Sequence, residues 1–530
     1  MRAAASALRI GGAVLLVVAL TACRGGGGPP SDEIVDGGEL RLAVGGPPQA
    51  DPALANLASP TDLLVLDLLH DGLTRVDGSG RAVAALAEGW SADPTFTTWT
   101  FRLSPEATFT SGRPITGEDV VASLEHVARG GDASLAALRL ETIVGFRAFL
   151  NGTTEHLEGL AAPTPESVKI VLSGPLALLP VVLAGPQYGI VDVASLTAAT
   201  TPGGDLGELD LSGAWAVDAA SGDSLRLERR PDRPGHLDGV VLRSYVDADE
   251  AYDAFERGGA DWALVPVGRY GDATEAHGTD AFRSFHAELF FGMRVSSEAL
   301  SHGALRRAVI LAIDREAIVR AVYPDVAEPL DRVVPDGIPG HDPDLCQECG
   351  FQADEDAARE LLRAAFPDGQ IPTVAIDFDE STAQDAMARI VAHDLEEVGI
   401  PTDLRPKPLE AYKAFVVSGA QELFSFGWIG GYASPDAYLA PLFQSSASDN
   451  LTDYSSAPVD AALSAARSTA DRGAAARRWA EVERQVLADS VVVPIAQFRT
   501  QAVLAARVRA FSHAIDGTVD WAAVWVTDGA

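Results

Sequence analysis

The stretch that most constrains the fold is Val374–Leu404. Val374, Ile376 and Phe378 alternate with small or acidic neighbours, as one face of a strand does. Met387, Ile390, Val391, Leu395 and Val398 then recur at helical spacing and stop at Gly399. Ile400–Leu404 returns to an extended pattern. A strand, a helix and a strand in immediate succession predict a parallel pair joined by a right-handed crossover, so the expected class is α/β. At 530 residues and 47% hydrophobic, the chain exceeds one ordinary domain and can bury a large core.

A second stretch reads as a site. In Glu422–Phe443, Leu423, Ser425 and Gly427 alternate with Phe424, Phe426 and Trp428, which predicts a short apolar strand. It runs into Gly430-Gly431, Tyr432 and the turn cluster Ser434-Pro435-Asp436. Glycine lets a ligand approach the backbone, and aromatic faces give large contact area at low entropic cost. The plain alternative is a core strand ending in an ordinary turn.

Earlier in the chain, Glu39–Val44 alternates as a half-buried strand and enters an irregular loop containing Pro47-Pro48 and Asp51-Pro52. Leu63–Leu69 is a dense apolar helix candidate. Trp99, Phe101 and Leu103 mark a strand, and Thr116 with Asp119 forms a capping-box pattern before the stripe Val120, Val121, Leu124 and Val127. Val491–Phe498, interrupted by Pro494, is expected near a sheet edge or crossover.

Charge and motifs exclude several classes. The net charge is −35, from 40 Lys and Arg against 75 Asp and Glu, which phosphate backbones repel, so no nucleic-acid partner is expected. The lysines Lys169, Lys407 and Lys413 follow Val, Pro and Tyr, so none completes a P-loop. Neither a GxSxG elbow nor an HExxH helix occurs, and the histidines are scattered, so no enzyme, cofactor or metal site is expected.

The N-terminus predicts export. Arg2 precedes the apolar run Ile10–Leu20, too short to need to span a bilayer. Leu20-Thr21-Ala22-Cys23 resembles the bacterial lipobox, which implies a signal peptide over 1–22, lipid on Cys23 and a flexible tether over 23–33. Cys346 and Cys349 are half of a zinc motif at most; outside the cytoplasm a small local disulfide is expected, contributing roughly 2 kcal/mol.

Several motifs resemble one family. LAEGW and WTFRL are followed by a Phe-Thr-x-Gly-x-Pro-Ile-Thr-x-Glu-Asp-Val run. Leu305–Tyr323, which matches a single helix of the family, Trp428–Pro435 and Asn450–Asp460 then come in the matching order. Together they resemble the extracellular solute-binding proteins of family 5, the peptide/nickel-type binding components of ABC importers, over roughly residues 37–525. The resemblance implies a two-lobed periplasmic-binding-protein-like fold with an inserted third subdomain and a ligand cleft between the lobes. Residues 34–75, 190–290 and 497–530 would build lobe I, 76–189 the insert and 291–496 lobe II. It implies a small-molecule or peptide ligand, ABC permease and ATPase partners, a membrane lipid anchor and a monomer. The alternatives left open are an oligosaccharide or another organic solute, or a surface receptor or chaperone role without import.

The resemblance also points to site residues. In peptide-binding members the fourth residue of the W-x-x-D turn is an Asp that pairs with the ligand ammonium; here it is Gly431. Trp428, Gly431 and Tyr432 are therefore expected at the ligand, with Asp436 or Asp51 as substitute carboxylates. Arg294 stands where many relatives have Asn, and is expected either to pair with a ligand carboxylate or to bridge the lobes.

Overall fold

A computed structural model describes residues 34–527, apart from 58, 132–133, 201–204, 279–281, 343–344, 346–349 and 515–516. Cys23, Cys346 and Cys349 lie outside the described residues.

The predicted β-α-β unit is present. Val374–Asp379 and Thr402–Lys407 pair in parallel, and the helix Thr382–Glu397 crosses between them. Met387, Val391 and Leu395 are buried beneath that helix, against Val374, Ile376 and Phe378. Among the described residues, eleven strands join into one sheet. Two long strands, Phe282–Met293 and Val492–Leu504, lie side by side at its centre. On one side of them stand Leu423–Ile429, Val374–Asp379 and Thr402–Lys407. On the other stand Trp262–Leu264, Glu39–Gly45, Gly239–Tyr245, Ser224–Arg229 and Trp215–Ser221, and the short strand Ala327–Pro329, the eleventh, pairs along Val492–Leu504. A separate four-stranded sheet is built from Ala87–Ala92, Thr98–Leu103, Ser167–Val171 and Leu160–Thr164.

Local chemistry sets several helix starts. Thr116 accepts from the Asp119 amide while the Asp119 carboxylate accepts from the Thr116 amide, the reciprocal cap predicted for Gly117–Ala128. Ser59 caps Pro60–Leu69 by accepting from the Asp62 amide.

One expectation is corrected. Leu305–Tyr323 is not one helix but two, Gly303–Ala312 and Arg315–Val322. Asp314 breaks the run, because its carboxylate accepts from the Ala317 amide at 2.7 Å and starts a new helix. Pro494 is the third residue of Val492–Leu504 and pairs with Phe290 on one side only; on the other side the described strands reach no nearer than Ala496, so its missing N–H falls at a local edge as expected. It is tolerated there because the register with Phe282–Met293 shifts between Leu289 and Phe290, opposite Pro494.

The distant ends of the chain are tied by a buried ion cluster. Asp261 is fully buried and accepts from the Arg41 backbone amide and guanidinium and from Arg507, at 2.8–3.0 Å. Burial alone would raise its pKa, but the two arginines outweigh that and hold it at about 2. One hydrophobic cluster spans the four-stranded sheet (Phe101, Val168, Ile170) and the helices Asp436–Phe443 and Arg472–Ala488 (Tyr438, Leu442, Val482). The residues around the Gly430-Gly431 turn are therefore packed from both regions.

Candidate ligand-binding site

The strand Leu423–Ile429 pairs antiparallel along Phe282–Met293, with Trp428 opposite Glu288. On its other edge only Leu423 and Phe424 pair, with Ile376 and Asp377. Among the described residues no strand covers that edge from Ser425 to Ile429, but Tyr412 Oη donates to the buried Ser425 carbonyl and Arg139 to the Ile429 carbonyl, so the exposed part is Gly427. The sequence thus delivers a strand edge that is open around Gly427 and ends in the Gly430-Gly431 turn.

Each glycine of the turn has a steric reason. A Cβ on Gly430 would lie 2.3 Å from Tyr438 Oη. A Cβ on Gly431 would lie 3.2 Å from the Arg139 side chain. The turn is gripped from the region holding the four-stranded sheet. Arg139 Nη2 donates to the Ile429 carbonyl at 3.2 Å, and Gln187 Nε2 donates to the Gly431 carbonyl at 3.1 Å.

Trp428 is 8% exposed. Its ring carries the Arg139 guanidinium at 4.4 Å, a cation–π stack, and its indole N–H donates to the Ala437 carbonyl at 2.8 Å. That second bond has a cause in the sequence. In the helix Asp436–Phe443 the Ala437 carbonyl would accept from residue 441, which is Pro441 and has no N–H. The indole supplies the missing donor.

Beneath the turn, Tyr432 Oη donates to Asp436 at 2.5 Å, and Arg467 Nε donates to the same carboxylate at 2.6 Å. Asp436 is fully buried. Burial and the Asp436 charge push the Tyr432 phenol well above its ordinary value, so it stays a donor. Tyr432 and Arg467 line a cavity of about 520 Å³ together with Arg139, Glu141, Gln444 and Ser448.

Trp428, Gly431, Tyr432 and Asp436 are therefore brought together. Asp51 is engaged elsewhere, accepting from His126 Nε2 and the Ala53 amide at 2.8 Å. Arg294 lies beyond the far end of the strand pair, six residues from Glu288, or roughly 20 Å. There it faces Asp453 at 3.5 Å.

Sequence reasoning missed Arg139, Gln187, Arg467 and Glu288. Arg139 had one signal, a lone charge in the apolar run Ala133–Leu140. Glu288 had a similar signal, a carboxylate set directly before the apolar run Leu289–Phe291. It is 1% exposed, and neither carboxylate oxygen has a partner. Burial, and then the neighbouring Glu483, push its carboxyl well above the usual range, so it is held as the neutral acid.

The profile of bacterial extracellular solute-binding proteins, family 5 (middle region), matches residues 81–450. The chain belongs to this family. It is 22% identical over 452 residues to the dipeptide-binding protein DppE of Bacillus subtilis (strain 168), covering 81% of each chain. It is 23% identical over 448 residues to the periplasmic oligopeptide-binding protein OppA of Escherichia coli (strain K12), again covering 81% of each. The unliganded open form of the periplasmic murein tripeptide binding protein MppA matches its fold with a TM-score of 0.79 at 20% identity, over 94% of this chain and 99% of that one. The mixed α/β architecture is thus that of the OppA and MppA structures. This solute-binding protein is the extracytoplasmic binding component of an ABC importer, and a binder rather than an enzyme.

Proposed function

We propose that this solute-binding protein captures an extended peptide and hands it to its importer while anchored to the membrane by lipid on Cys23. The observation that carries the peptide reading is the strand edge open around Gly427, which no described strand covers. An uncovered stretch of strand edge offers backbone groups that an extended peptide can pair with whatever its side chains. The family relatives named above bind dipeptides, oligopeptides and a murein tripeptide, and support the same reading. Gly427 and Gly430–Tyr432 are the segments assigned to the ligand. Trp428 and Asp436 hold that turn in place from beneath, and Cys346 with Cys349 is assigned a local disulfide.

A thermal-shift screen tests this, because a ligand that binds only the folded state raises stability by mass action. Short peptides are expected to raise the melting temperature in proportion to the logarithm of their concentration. A shift with oligosaccharides or metal chelates and none with peptides would overturn the peptide reading.

A further inference from the structure

The charge at the turn does not come from the turn itself. Gly431 brings none, and the group that fills the space beside it is the Arg139 guanidinium. The Arg139 side chain is 6% exposed. One of its nitrogens, Nη2, is spent on the Ile429 carbonyl, while Nε is buried without a partner. Asp449 forms an ion pair with Nη1 at 3.8 Å, too long for a hydrogen bond. A buried guanidinium left in this state costs free energy until an acceptor meets it.

The other cations on the same cavity are better matched. Arg467 holds Asp436 through both Nε and Nη2, at 2.6 and 3.3 Å. Arg147 donates to Glu141 at 3.2 Å. Arg139 is thus the cation with capacity to spare on the wall of the roughly 520 Å³ cavity beside the turn. The stack on Trp428 fixes the plane of its guanidinium, and a fixed planar fork suits a carboxylate. A free ammonium brought to the same place would meet a buried like charge.

We propose that Arg139 makes this cavity a subsite for a carboxylate of the bound peptide, so that the protein selects ligands by an anionic group rather than by a free ammonium. The inference rests on the peptide reading, and its test separates the two. Four probes are titrated into the full-length protein: trialanine, trialanine amide, N-acetyl-trialanine and N-acetyl-trialanine amide. N-acetyl-trialanine, which has a carboxylate and no ammonium, is expected to bind about tenfold tighter than trialanine amide, which has the reverse. Arg139→Gln is expected to erase that preference and Arg139→Lys to keep part of it. Gly431→Asp, which sets a carboxylate against Arg139, is expected to weaken N-acetyl-trialanine. Because the first comparison is made in the unmutated protein, it stands even if a variant fails to fold. Equal binding of the two probes, tighter binding of trialanine amide, or a carboxylate preference that survives Arg139→Gln in a folded variant would overturn the subsite and leave the peptide reading intact. Binding by none of the four probes would overturn both.

Discussion

The bond from Trp428 to Ala437 permits a sharp test of how the turn is built. Trp428→Phe keeps an aromatic ring under Arg139 but removes the indole N–H. The Ala437 carbonyl then has no donor, since Pro441 cannot replace it. Leaving a buried carbonyl unpaired costs about 1–3 kcal/mol, and the smaller ring adds a packing loss of similar or lesser size. Pro441→Ala restores a backbone N–H at the position the helix requires. In the Trp428→Phe background it should therefore recover about 1–2 kcal/mol that it does not recover in the parent. Urea denaturation of the four proteins, followed by circular dichroism, gives the coupling energy directly. Strictly additive effects of the two substitutions would refute the claim that the indole replaces the proline's missing donor.

Other expectations follow from the buried charges and from the N-terminus. Asp261→Asn leaves Arg41 and Arg507 without their carboxylate and should cost about 3–5 kcal/mol. Because the folded pKa of Asp261 lies at about 2, below its ordinary 3.8, its stabilisation is present above that ordinary value and lost as pH falls through about 2; the variant should lack that acid-limb slope in melting scans. Glu288 has the opposite sign: its folded carboxyl keeps a proton that the unfolded chain gives up, so it penalises stability as pH rises above the ordinary carboxyl range. Glu288→Gln should therefore raise the melting temperature at neutral pH and leave it unchanged in acid. Cys23→Ser should abolish lipid attachment and release the protein from the membrane fraction; unchanged fractionation and mass would remove the anchor.

The elements legible in the sequence were those whose cause is local. The strand Val374–Asp379, the helix Thr382–Glu397 and the Thr116 cap depend on neighbours a few residues away, so periodicity and capping chemistry exposed them. The family motifs located the Trp428–Tyr432 turn for the same reason. What grips that turn was not legible. Arg139 and Gln187 reach it from 290 and 244 residues away, and nothing in their own surroundings announces the partner. Pro494 was legible because proline cannot donate to a ladder, and here the strands on its second side reach no nearer than Ala496 while a register shift accommodates it against Phe290. The Asp314 break was hidden by an apolar stripe that continues smoothly across two helices.

The central claim is that the strand edge open around Gly427 receives the peptide backbone. Hydrogen exchange of the full-length protein, with and without a saturating peptide from the thermal screen, tests it most directly. The account expects the amides of Ser425–Ile429 that face away from Phe282–Met293 to exchange about tenfold or more slowly once peptide is bound. Unchanged exchange along that edge, with protection appearing elsewhere on the saturated protein, would contradict it.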